Sequence, residues 1–406
     1  MKSFAFTCTF IKKSVSSDKY DLANSFGALE TDPINHICYD GVFQIGHTSF
    51  FMDTLCLNRT WKFKLDPENV GISEGWQSNP KTIEQDSADI QVPCCWEELE
   101  QDYEGVAWYS TQVEIDADKA GQICRIAFQA SNYRTGVWIN GKAVGSHDGG
   151  YTPFDFEIKD FLNYGATNQI TVRIVSPIIT KDIRVDDLGP NDMPHWRGGL
   201  TAGIWQAATL EFNQSAWIKH AFYKPKVKDS AFDLDLEFRC NETSAQTAAL
   251  TVNVIDGSGA TVYEDEQTFE LQPGSTQLSH TITLKEAKLW SCQSPHLYTA
   301  HASISLNGKV IAESTESIGL REFTYENERF CLNGERIYLR GGFWEGVYAK
   351  HQSYPDSREE VRREIELAQA AGLNLLRPWR RPVPPMILEE ADAAGLLVIA
   401  SPAVEC

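Results

Sequence analysis

Hydrophobic and polar positions change their period along this chain. Residues 1 to about 50 carry little periodicity, which predicts a loosely attached arm. From LNRTWKFKLD (57–66) onward, short runs alternate or stay apolar between turn signals: STQVEID, QICRIAFQA, GVWINGKAVG, NQITVRIVS and IWQAATLEF. Alternation is the mark of a half-buried strand, because successive side chains point to opposite faces. Asn140-Gly141 stands between two such runs, and this pair readily takes the positive φ values of a two-residue hairpin turn. Many short strands with few helical windows predict an antiparallel sandwich.

A second strand-rich block follows, with FDLDLEFRC, AALTVNVIDGSG, SHTITL and YTAHASISLNGK at roughly even spacing. Some seven strands in about 110 residues predict an immunoglobulin-like sandwich, without the Cys…Trp…Cys framework of antibody domains. After FCLNGERIYLRGG the period lengthens. SREEVRREIELAQAAG opens on a Ser357-x-x-Glu360 capping box, places Val361, Ile365 and Ala368 on one face, and stops at Gly372. LNLLRPW is near-continuously apolar, as in a parallel strand covered on both faces. PPMILEEADAAG is a helix opened by proline and closed by Gly395, and LLVIASPA is the next strand. The order β-α-β-α-β predicts the start of a (β/α) barrel or a doubly wound sheet. Three strands cannot close a barrel, and an open parallel sheet keeps an apolar edge, so this last domain is expected to be incomplete.

Composition narrows the functional classes. The formal charge of −20 repels a phosphate backbone, which argues against a nucleic-acid partner. No apolar run approaches the ~20 residues that span a bilayer, and the N-terminus lacks a small-residue cleavage site, so a cytoplasmic location is expected. Ten cysteines without paired spacing predict reduced, mostly buried thiols and no zinc site. Eleven tryptophans are a rich supply, used in β-proteins as core filling and less often as stacking surfaces for sugar rings.

Seven stretches, taken in order, resemble the family-two glycoside hydrolases, the group of β-galactosidases, β-glucuronidases and β-mannosidases. They are LNRTWKFKLDPENVG, IQVPCCWEELEQDYEGVAWYSTQVEI, NYRTGVWINGKAVGSHDGGYTPFDFEI, AGIWQAATLE, LWSCQSPHLYT with GLREF, LNGERIYLRGGFW and AGLNLLRPW. The resemblance covers most of residues 57–406. It implies a multidomain, mainly β chain: an arm over 1–50, a sugar-binding-type jelly roll over 51–215, an immunoglobulin-like sandwich over 216–325, and over 326–406 the first three β/α units of a TIM barrel. It also implies retaining hydrolysis of O-glycosyl bonds by two glutamates about 5–5.5 Å apart, a general acid/base and a nucleophile. In the family both come from later barrel strands, so the catalytic pair is expected beyond Cys406, with none in this chain. The alternative is a non-catalytic carbohydrate-binding or scaffolding protein with a vestigial barrel. A carbohydrate is the partner either way, no cofactor is expected, and oligomeric state is unreadable.

The resemblance also nominates substrate-binding residues, each with a plainer reading. Arg377 closes the second barrel strand and matches the arginine that orients a catalytic carboxylate; otherwise it pairs with any nearby acid. Trp344 and Glu345 close the first strand, where Trp344 either lines the sugar site as in mannosidase-like members or fills the core. Trp379 sits where mannosidase-like members carry a tryptophan. Arg380 and Arg381 follow it and suit either a uronic acid carboxylate or rim salt bridges. Asp192 lies in a sandwich loop from which an acid reaches the terminal sugar in some relatives, or it is a solvated acid. Glu405 aligns with a magnesium ligand of some β-galactosidases, but no metal is inferred. His147, Asp148 and the GGYTPF segment read as turn architecture.

Overall fold

Ten strands form where alternation predicts the first sandwich. They begin with β1 (Asp53–Cys56), β2 (Thr60–Asp66), β3 (Ala88–Gln91), β4 (Val106–Ile115) and β5 (Ile123–Phe128). They continue with β6 (Arg134–Ile139), β7 (Lys142–Asp148), β8 (Phe154–Glu157), β9 (Ala166–Val175) and β10 (Ala208–Asn213). A short helix, α1 (Pro80–Glu84), lies between β2 and β3. This is a computed structural model that describes residues 53–401 apart from 101, 191, 194–200, 345, 347, 349, 350, 352, 353, 356 and 379–381. The arm expected over 1–50 lies outside the described residues. All those described belong to one compact unit, Asp40–Cys406.

The ten strands pair antiparallel into a four-stranded sheet, β1-β10-β5-β8, and a six-stranded sheet, β3-β2-β4-β9-β6-β7. Trp61, Phe63 and Tyr109 of the larger sheet share one buried cluster with Ile126, Phe128 and Leu210 of the smaller. Asn140 and Gly141 take φ values of +52° and +77°, and their turn joins β6 to β7. The run IWQAATLEF becomes strand only from Ala208. Ile204 and Trp205 are buried in a loop instead, where the Trp205 indole donates to the Gly150 carbonyl at 2.8 Å. Gly203 makes that loop possible: its φ is +101°, and a Cβ there would stand 2.4 Å from the Tyr109 hydroxyl.

Seven strands build the second sandwich. They are β11 (Ala216–Lys226), β12 (Ala231–Cys240), β13 (Gln246–Ile255) and β14 (Thr261–Leu271), then β15 (Gly274–Thr283), β16 (Tyr298–Leu306) and β17 (Lys309–Ile318). Their sheets run β11-β12-β15 and β14-β13-β16-β17. Strand β12 shows why the alternation works. Phe232, Leu234, Leu236 and Phe238 enter the core, while Asp233 and Asp235 on the other face pair with Lys226 and Lys224.

A small antiparallel sheet of β18 (Phe323–Glu326), β19 (Arg329–Leu332) and β20 (Glu335–Arg336) precedes the last segment. There β21 (Gly341–Trp344), α2 (Arg358–Ala370), β22 (Leu375–Pro378), α3 (Pro385–Ala394) and β23 (Leu397–Val398) form a parallel three-stranded sheet with two connecting helices. The Ser357 hydroxyl accepts the Glu360 amide at 3.2 Å and so caps α2. Val361 and Ile365 of α2 pack with Ile387 and Ala391 of α3 and with Leu376 of β22. Among the described residues no helix is long and apolar enough to cross a membrane.

Gly395 ends α3 at φ +80°, and a Cβ there would stand 2.7 Å from the Cys292 carbonyl oxygen of the second sandwich. Gly395→Ala is therefore expected to cost about 2 kcal/mol, combining left-handed strain with a contact against immovable backbone. A lowered urea midpoint at constant slope would show it; an unshifted midpoint would refute this role for the glycine.

Candidate functional site

The C-terminal ends of adjacent parallel strands are where an α/β sheet presents side chains to a ligand. Here β21 and β22 run in register, with Phe343 opposite Arg377 and Trp344 opposite Pro378. Alternation sends the residues of β21 to opposite faces. Trp344 is half-buried and packs against the cluster that α2 and α3 share. Phe343 is half-exposed on the other face, and the Arg377 guanidinium lies 5.6 Å from the centroid of its ring. A cation over an aromatic face is held in place while its N–H fork remains able to meet a carboxylate. The exposed pair at this edge is thus Phe343 with Arg377, and Trp344 takes the packing of a core tryptophan.

The other nominated residues fare differently. Asp192 caps its own loop: its Oδ2 accepts the Gly189 amide at 2.8 Å and an Arg184 N–H at 3.4 Å. Glu345, Trp379, Arg380, Arg381 and Glu405 lie outside the described residues. His147 stacks on Phe154 at 4.1 Å, and burial lowers its pKa, as befits packing at a sheet edge. Among the described residues no group of three His, Cys, Asp or Glu side chains could hold a metal ion.

The two helices pair their charged side chains with each other. Arg358 and Arg362 of α2 bind Glu390 of α3 at 3.0 and 2.7 Å, and Arg358 also binds Glu389. Burial pushes the Glu390 carboxyl up, but the two arginines outweigh it and hold the group below its ordinary pKa. On α2, Glu364 is raised by burial although the Tyr348 hydroxyl donates to it at 3.2 Å. A polar cleft of about 290 Å³ on the six-stranded sheet is a weaker candidate. Its Lys62 and Asp89 are bound to each other at 2.7 Å, and the Gln169 amide is committed to Ser110.

No sequence signal pointed to one further group. The segment between β21 and α2 touches the first sandwich through His351 and Tyr354, which meet Glu98 and Trp205. Their separations in sequence exceed any local period.

The described residues thus form a multidomain, mainly β chain that passes into parallel β/α structure with Arg377 at a strand end. Two family models agree with it: "Glycosyl hydrolases family 2, sugar binding domain" matches residues 55–205, and "Glycosyl hydrolases family 2" matches residues 216–321. The chain belongs to glycosyl hydrolase family 2. It is 24% identical over 371 residues to a β-glucuronidase of Paenibacillus borealis, covering 84% of this chain and 58% of the relative. It is also 24% identical over 307 residues to a β-galactosidase of Thermoanaerobacter pseudethanolicus, covering 74% of this chain and 39% of the relative. The crystal structure of a family 2 member from Bacteroides cellulosilyticus superposes with a TM-score of 0.72 at 25% identity, covering 86% of this chain and 47% of that one. The chain thus spans well under two thirds of the length of the relatives it matches.

Proposed function

We propose that this chain is the front portion of a retaining exo-glycosidase that removes a terminal sugar from β-linked O-glycosides. Two sandwiches, a jelly roll over 51–215 and an immunoglobulin-like domain over 216–325, would support the opening β/α units of a TIM barrel over 326–406. The observation that carries this reading is the parallel β21-β22-β23 sheet with Arg377 at a strand end, in a chain that belongs to glycosyl hydrolase family 2. Arg377 would orient a catalytic carboxylate through its fork, and Glu345 and Trp379, which follow β21 and β22 in the sequence, would contact the sugar. The acid/base and nucleophile glutamates would come from barrel strands after β23, beyond Cys406. There one protonates the glycosidic oxygen while the other attacks the anomeric carbon, and water then releases the glycosyl-enzyme. The names of the relatives support β-glucuronides and β-galactosides as the first substrates to try.

Two expressed forms test this. The 406-residue protein is expected to release no nitrophenol from aryl β-glucuronides or β-galactosides. A protein expressed from the reading frame continued past Cys406 should hydrolyse one of them with retention at the anomeric carbon. Turnover by the 406-residue protein would refute the placement of the glutamates. A continued protein that binds sugar without turnover would favour a carbohydrate-binding role instead.

A further inference from the structure

The first sandwich holds His351 and Tyr354, which lie between β21 and α2 in the sequence. His351 Nδ1 lies 2.6 Å from Glu98 Oε1, and the Cys95 thiol donates to the His351 carbonyl at 3.1 Å. The Tyr354 hydroxyl donates to the Pro93 carbonyl at 3.4 Å. The Tyr354 ring also contacts two aromatic neighbours. It stacks on the His351 imidazole at 4.6 Å with an interplanar angle of 4°, and it meets Trp205 at 6.0 Å and 33°.

The sandwich side of this contact is braced by hydrogen bonds. In the turn over 93–98, the Cys94 amide donates to Ile204 at 2.9 Å and the Trp96 amide to Ala202 at 3.0 Å. Glu97 completes the brace by accepting the Ala202 amide at 3.1 Å. Beyond Tyr354 the segment runs into the Ser357 cap of α2. His351 and Tyr354 are therefore held to the sandwich a few residues before α2 begins.

We infer that Glu98, Cys95 and Trp205 of the first sandwich form a clasp with His351 and Tyr354, and that these are positioning residues for the strand-end segment. What the segment positions, a glycoside site, rests on the function proposed above; the clasp itself does not. The two parts interlock because the carboxylate–imidazole hydrogen bond and the tilted contact of Tyr354 with Trp205 form only when these residues and the turn are in register.

Two fully buried thiols make the test internal to the protein. Cys95 lies in the clasp and Cys124 in the core of the same sandwich, so the second reports global opening. Native 406-residue protein is treated with iodoacetamide, and labelling at each cysteine is assigned by tandem mass spectrometry. Glu98→Ala, His351→Ala and Tyr354→Ala should each speed Cys95 labelling about tenfold and leave Cys124 unchanged. Glu98→Gln keeps an acceptor for the imidazole and should retain protection. The double variant E98A/H351A should label no faster than His351→Ala alone, since that substitution already breaks the contact with Glu98. Unchanged Cys95 labelling, a parallel rise at Cys124, or independent effects in the double variant would each overturn the clasp. No glycoside enters this experiment, so its outcome and that of the hydrolysis assays are separable.

Discussion

Trp290→Ala is expected to cost about 3–5 kcal/mol and to release α3 from the second sandwich. The indole is 1% exposed and donates to the Asp392 carbonyl at 2.7 Å. The Arg321 guanidinium covers its ring at 4.4 Å and binds the Asp392 carboxylate at 2.9 Å. Burial raises the pKa of Asp392, and Arg321 opposes that rise, so the ion pair and the indole belong to one joint. Removing the ring leaves a cavity, an unpaired carbonyl near the end of α3 and an arginine without its platform. Hydrogen exchange should then rise in α3 and α2 while β12 stays protected. Trp290→Phe, which keeps most of the ring and loses only the N–H, should cost far less. Exchange that rises equally in β12 would show that Trp290 stabilises the whole chain and not this joint.

Stability should also fall as pH rises from 5 to 8, by about 2 kcal/mol for each of two buried carboxyls. Burial raises Glu97 to about 7 against the help of the Ala202 amide, and it raises Glu211 to about 7 against the Arg125 charge. For both groups the folded pKa lies above the unfolded one. The fold therefore favours the protonated form, and its contribution is complete below pH 4.5 and is lost as pH climbs through about 7. Glu97→Gln and Glu211→Gln should each flatten part of the decline, and Glu316, which burial also raises to about 7, contributes a further part in the same direction. Urea midpoints across the pH range measure this. A midpoint that holds steady or rises toward pH 8 would show that these carboxyls ionise without penalty.

Several elements were legible because their causes are local. The Ser357 cap, the Gly395 stop and the Asn140-Gly141 turn each follow from the conformational preferences of a few adjacent residues. Alternation in FDLDLEFRC settled which side chains of β12 are buried, since one face of a strand meets the core and the other meets water. Where a motif is short the pattern says less. In GGFW the choice of which aromatic packs inward depends on where α2 and α3 cross the sheet, and it fell on Trp344. The IWQ of IWQAATLEF reads as strand, yet the Trp205 indole and the Gly203 backbone bend it into a loop.

By itself, then, the amino-acid order determined the run of strands and helices, the family resemblance and an arginine at a strand end. These depend on side-chain period and on short motifs, which act within one or two turns of chain. Only the tertiary structure decided that Arg377 lies over Phe343, that Asp192 serves its own loop, and that Cys95 meets His351 across 256 positions. Contacts of that kind arise when separately folded layers close on one another. No local period records which surfaces will meet.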